Sequence, residues 1–297
     1  MGINMTSITN GIDKFHLKAN ASFTIREGWL TKGLRHVHAS PSIFLEDNAV
    51  DLLGVGSAMV KSIRFWMQAT GLSTEPRNGR RTQSLTELGK AIYEHDLYFE
   101  DYFTQYVVHS HLVSDPSLAT VWYLLFNHFD AIRFTRENMT DALLDVFGQM
   151  TTKEFSTASF RDDCGAALKT YVADQSKQAS PEENMQCPLA ALDLFAKTSK
   201  NTYERTIPPA TKLHAMAVLY VIVSRMNGRE SISLDKLLTE PCNVGKVFHL
   251  NAYRLNGYLD ELQSNEFLTI QRTAGLNMVY PKLDLTPIEV VRNYYRR

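Results

Sequence analysis

The 297 residues carry 31 Lys and Arg against 32 Asp and Glu, with 44% apolar and 21% charged residues and a net charge of −1. That balance is globular, and it argues against a disordered chain or a protein that coats nucleic acid by bulk charge; a local basic face can still bind DNA. Three cysteines (Cys164, Cys187, Cys242) form no CxxC pair, which argues against a disulfide framework or a thiolate zinc site and fits a reducing cytoplasm.

Met1 to Lys14 is polar and lacks the basic-then-apolar layout of a secretory leader. Ala215 to Val223 is the most apolar run, far short of the roughly 20 residues of a membrane span. No membrane partner is therefore expected. Phe15 to Ile25 alternates loosely and predicts a strand, followed by a short helix from Arg26 to Val37 that Ala39-Ser40-Pro41-Ser42 breaks.

Glu46 to Leu53 predicts a short helix, Gly54-Val55-Gly56 a tight turn, and Ser57 the cap of a helix running to Thr70. Met59, Ile63, Trp66 and Met67 recur at helical spacing, and Gly71 supplies the stop. Lys61, Arg64 and Gln68 fall on the opposite, free face at i, i+3 and i+7. A polar loop then brings Arg77, Arg80 and Arg81 together around Asn78-Gly79, before a helix from about Thr86 to His95. Helix, turn, amphipathic helix and basic loop is the outline of a helix-turn-helix with a wing. From Val60 to Lys90 there are six Lys or Arg and two Glu, so this module is basic within a neutral chain.

From Asp96 to Met150 the pattern is helical and aromatic; Tyr98, Phe99, Tyr102, Phe103, Tyr106, Trp122, Tyr123, Phe126 and Phe129 are its candidate core. A further helix is expected from Phe160 to Val172, then an exposed loop around Ser180-Pro181-Glu182-Glu183, with Pro208-Pro209 as a boundary. The last stretch repeats the earlier outline. It predicts a helix over Ala210–Arg225, a short one over Ser233–Leu238 and an irregular insertion with Gly245 and Lys246. A helix over Asn251–Ser264 and two strands, Leu268–Arg272 and Met278–Tyr280, complete it, with Arg254 and Arg272 as candidate DNA contacts beside Lys246. The expected fold is mainly α with small β wings. A winged-helix module lies in residues 1–95, a helical middle domain in 96–207 and a second winged-helix module in 208–297.

Several stretches resemble one bacterial family, the domain of unknown function 4007. They include Ser22-Phe23 through Arg26-Glu-Gly28-Trp29 to Lys32-Gly33, Leu53-Gly54-Val55-Gly56 to Met59-Val60, Val107-Val-His109 and Trp122 to Asn127. Arg161-Asp162-Asp163 leading to Lys169-Thr170-Tyr171, and Glu183 to Cys187-Pro188-Leu189, continue the series in order. The family includes the SspB-like component of DNA phosphorothioation systems. The resemblance implies a DNA-binding, strand-nicking component of a bacterial defence system, working beside a cysteine desulfurase and an ATP-dependent sulfur-transfer partner, with Mg²⁺ or Mn²⁺ if it nicks. One departure stands out: Asn20 and Ala21 occupy the places where family members carry a His-Glu pair.

Other features are weaker signals. Gly54 to Ser62 lacks the Gly before Lys61 that a phosphate loop needs, since Val60 stands there. His36-Val-His38 and His109-Ser-His111 are two apart and point to different faces of a helix. Asp162 and Asp163 are the candidate catalytic carboxylates, yet adjacent helical residues diverge by roughly 100°, so one of them is equally a cap or an ion-pair partner. Cys187 is either a sulfur acceptor or a small buried hydrophobe. Two rival functions stay open: a winged-helix transcriptional regulator, and an adaptor that docks sulfur-transfer enzymes.

Overall fold

Residues 15–25 form no strand. In the structure, a computed structural model describing residues 11–76, 82–173, 186–273 and 276–296, they run as turns laid over the middle of the chain. Lys18, Ala21 and Ser22 adopt φ of 56°, 49° and 66°, left-handed values that interrupt extended backbone. Distant groups fix this path: the Lys18 amide donates to Asp163 at 2.8 Å and the His16 amide to the Thr120 hydroxyl at 3.1 Å. A two-residue alternation carries no information about such partners.

Helix α1 (Trp29–Ala39) follows, with a 3-10 turn at Ile43–Leu45, α2 (Ala49–Leu53) and α3 (Ser57–Ala69). Gly56, not Ser57, occupies the N-cap of α3 and makes no side-chain cap. The apolar stripe seats Ile63, Trp66 and Met67 in the core, where the Trp66 indole N–H donates to the Phe23 carbonyl at 3.1 Å. Strands β1 (Ser73–Thr74) and β2 (Ser84–Leu85) pair antiparallel and lead into α4 (Glu87–His95), capped by the Thr86 hydroxyl.

The middle contains α5 (Tyr102–Leu112), α6 (Thr120–Asn127), β3 (Arg133–Thr135), α7 (Arg136–Met150) and α8 (Thr157–Tyr171). It is not purely helical. After a 3-10 turn, β4 (Phe195–Lys197) and β5 (Thr202–Arg205) join β3 in a sheet ordered β3-β5-β4, with Phe134 opposite Tyr203. These strands are three or four residues long, too short for a period-two signal to emerge. Most of the predicted aromatics are buried, whereas Tyr98 is 63% exposed.

The last third holds α9 (Ala215–Arg225), β6 (Ile232–Ser233), α10 (Leu234–Thr239) and α11 (Val244–Val247). Then come α12 (Ala252–Ser264), β7 (Leu268–Thr273), β8 (Leu276–Pro281) and α13 (Pro287–Tyr295). Ser233 and Asn251 cap α10 and α12 with their side-chain oxygens. The sheet order is β6-β8-β7. Helix α13 packs on α9 and on α4, bringing the end of the chain back to its first third. The fold is mainly α with small antiparallel sheets, and no helix of the described residues is long and apolar enough to cross a membrane.

Candidate nucleic-acid interface

Lys61, Arg64 and Gln68 lie where the helical spacing puts them, on the face of α3 turned from the core, but their surroundings differ. Lys61 is exposed. Arg64 makes a two-point ion pair with Glu75, just past β1, using Nε at 3.1 Å and Nη2. Gln68 Nε2 donates to the same carboxylate at 3.0 Å. Behind them, Gln83 Nε2 donates to the Arg64 carbonyl at 3.0 Å, and its Oε1 accepts from the Ser73 hydroxyl at 2.8 Å. Glu75 thus joins helix and hairpin, at the cost of tying two of the three predicted contact residues to an internal anion. No helical spacing could have shown this, because Glu75 lies outside α3. Arg77, Arg80 and Arg81, the predicted wing cations, lie outside the described residues.

In the last third the predicted cations are also engaged. Lys246 Nζ sits 2.7 and 2.9 Å from the two carboxylate oxygens of Asp130. Arg254 donates to the Pro208 carbonyl at 3.3 Å, and Arg272 pairs with Asp260 at 2.7 Å. The exposed positions of α12 include Tyr253, Asp260 and Glu261, so that face is neutral to acidic where the face of α3 is cationic.

Asp162 and Asp163 do not converge. Asp162 is exposed and pairs with the Lys18 ammonium at 2.6 Å. Asp163 is 3% exposed and accepts the Lys18 amide; burial pushes its carboxyl up to about 6, against the opposing pull of that hydrogen bond. Together they hold the left-handed Lys18 turn from both ends. Arg161 reaches back to Asp141 at 3.0 Å. Asn20, one of the two departures from the family pattern, is buried at 1% exposure.

Two of the remaining candidates, Cys187 and His109, are core groups. Cys187 is buried and its thiol is pushed up to about 12 by desolvation, which keeps it protonated and away from nucleophilic chemistry. His109 is fully buried between the Tyr171 hydroxyl and the Val247 carbonyl, each at 2.8 Å. His36 and His38 bind no common centre; His38 stacks on Tyr93 with centroids 4.2 Å apart.

A family model described as a protein of unknown function, DUF4007, matches residues 18–295. No curated protein matches the chain. Two solved structures share its fold. A magnesium ion-bound SspB crystal structure has a TM-score of 0.83 at 23% identity, covering 96% of this chain and 88% of its own. A second SspB crystal structure has a TM-score of 0.81 at 24% identity over the same shares.

Proposed function

The chain belongs to the DUF4007 family, and on that premise we propose that it is a DNA-recognition component of a bacterial phosphorothioation-based modification and defence system. The carrying observation is the fold it shares with SspB over 96% of its length. The α3–hairpin unit acts as the winged-helix DNA reader. Lys61 approaches the phosphates directly, and Arg77, Arg80 and Arg81, outside the described residues, supply further cations. Its partners are DNA and, through the same system, a cysteine desulfurase and an ATP-dependent sulfur-transfer protein.

Strand nicking is the activity the resemblance implies, and a magnesium ion is bound in one SspB structure. The Asp162–Asp163 pair does not fit a metal. Lys18 occupies both of its carboxylates, and among the described residues no three His, Cys, Asp or Glu side chains gather to hold an ion. No catalytic step is assigned to this pair.

A second reading applies to the last third. With Lys246 and Arg272 paired and Asp260 and Glu261 on the outer face of α12, this second winged-helix unit is better suited to a protein partner than to phosphates. The deciding experiment is a supercoiled-plasmid assay with Mg²⁺ or Mn²⁺, run beside a gel shift on the same preparation. A shift is expected, and an open-circle product lost in EDTA would add the nickase. Neither signal, with duplex or single-stranded DNA, transfers the proposal to a protein-docking adaptor.

A further inference from the structure

A cavity of about 580 Å³ opens between the start of α1, the end of α2 and the start of α3, within the roughly 300–1,000 Å³ of small-molecule sites. Its lining has three chemical parts. Trp29, Val55 and Met59 give it an apolar wall. Arg26 and Lys32 give it positive charge. The Arg26 guanidinium lies 5.4 Å from the ring centroids of Phe23 and Trp29, which holds it in place by its face. Among the described residues its guanidinium makes no hydrogen bond or ion pair. Lys32 Nζ spends one donor on the Leu53 carbonyl at 2.8 Å and keeps two. Glu27 and Asp51 complete the lining as exposed carboxylates.

A guest that uses all three parts joins a planar apolar body to an anion and carries hydrogen-bond donors. A nucleotide with an exocyclic amine does so. Its base lies on the Val55–Met59 wall, its amine donates to Glu27 or Asp51, and its phosphate meets Arg26 and Lys32. Gly56 is also in the lining and leaves the first N–H groups of α3 without a side-chain cap, which adds to the attraction for an anion.

We propose that this cavity receives a single nucleotide bearing an exocyclic amine, presented by a single-stranded or extruded position in DNA. The DNA source rests on the function proposed above, since α3 carries both the cavity rim at Gly56 and Met59 and the exposed Lys61. An unpaired nucleotide is the easier guest, because extrusion from a duplex loses stacking and pairing.

The test titrates deoxycytidine and thymidine 5′-monophosphates into the full chain by calorimetry, alongside the anisotropy of a labelled single-stranded oligonucleotide. Deoxycytidine monophosphate should bind saturably and more tightly than thymidine monophosphate. Arg26→Ala, which removes a cation, and Val55→Trp, which fills the space from a half-buried position, should each weaken it about tenfold. Two variants with unrelated effects on folding guard against loss of structure in either one. No saturable mononucleotide binding, or binding that both variants leave unchanged, overturns the proposal. If the oligonucleotide binds normally in that case, the DNA reading survives while the cavity loses its role. Mononucleotide binding without oligonucleotide affinity supports the cavity with a free nucleotide as its guest and removes the DNA reading instead.

Discussion

The Tyr294 hydroxyl donates to the Asp101 carboxylate, lying 2.9 and 2.8 Å from its two oxygens, and so ties the last helix of the chain to the first turn of α5. Asp101 also caps α5 through the Phe103 amide at 2.8 Å, and the Phe103 ring stacks on Tyr294 with centroids 3.8 Å apart. Tyr294→Phe keeps the stack and removes a hydrogen bond to a charged group between half-buried partners, an expected loss of about 1.5 kcal/mol. Asp101→Ala removes the cap as well and should cost more. The double variant should cost less than the sum, because both changes delete the same contact. Urea unfolding of the three variants measures this.

Two glycines set how closely helices approach carbonyls. A Cβ on Gly89 would run into the Leu72 carbonyl oxygen, and one on Gly245 into that of Leu238. Neither obstacle is a flexible side-chain end, so Gly89→Ala and Gly245→Ala should each destabilise by more than about 2 kcal/mol. Gly148 lies in α7 with nothing within 4 Å of an added Cβ. Gly148→Ala should therefore stabilise by about 0.5–1 kcal/mol. Thermal melts of the three proteins separate packing from backbone entropy.

Glu75 gives the DNA reading a variant that improves binding. Glu75→Gln removes the anion that holds Arg64 and Gln68 and should tighten DNA affinity while steepening its salt dependence by about one counterion. Lys61→Ala should do the reverse, lowering the slope by about one. Anisotropy titrations across a salt series give both numbers. Unchanged slopes in both variants remove α3 from the interface.

Acid should destabilise the fold. Burial lowers His109 and His111 to about 4, His249 well below its usual value and His128 below its own, so all four give up their proton more readily in the fold than in the unfolded chain, which protonates near 6.5. Their stabilising contribution is complete above that value and is lost as pH falls toward the folded pKa. Asp163, raised to about 6, works the other way: its folded form takes up a proton first, so it gains stability as pH falls from about 6. Four histidines against one carboxyl leave a net loss between pH 7 and 5, read as a falling urea midpoint. Asp163→Asn should raise stability at pH 7 and make the acid loss steeper.

Most of the helices were legible in the sequence because each depends on residues within a few positions, whereas α11 and α13 were not among those expected. The Ile63–Trp66–Met67 stripe on α3, the helices starting near Ser233 and Asn251, and the Leu268 and Met278 strands of the last sheet all follow from local pattern. The irregular entry over residues 15–25 and the β3-β5-β4 sheet do not, since the first depends on Asp163 and Thr120 and the second on pairing Phe134 with Tyr203. The candidate site divides in the same way. Helical periodicity alone placed Lys61, Arg64 and Gln68 on one face. Tertiary structure decided which of them is available, by setting Glu75 against Arg64 and Gln68; it also set Asp130 against Lys246 across 116 residues and brought Arg26 and Asp51 into the lining of one cavity. Local pattern fixes the direction of a side chain relative to its own helix axis. What it meets in that direction comes from residues that only the folded chain brings near.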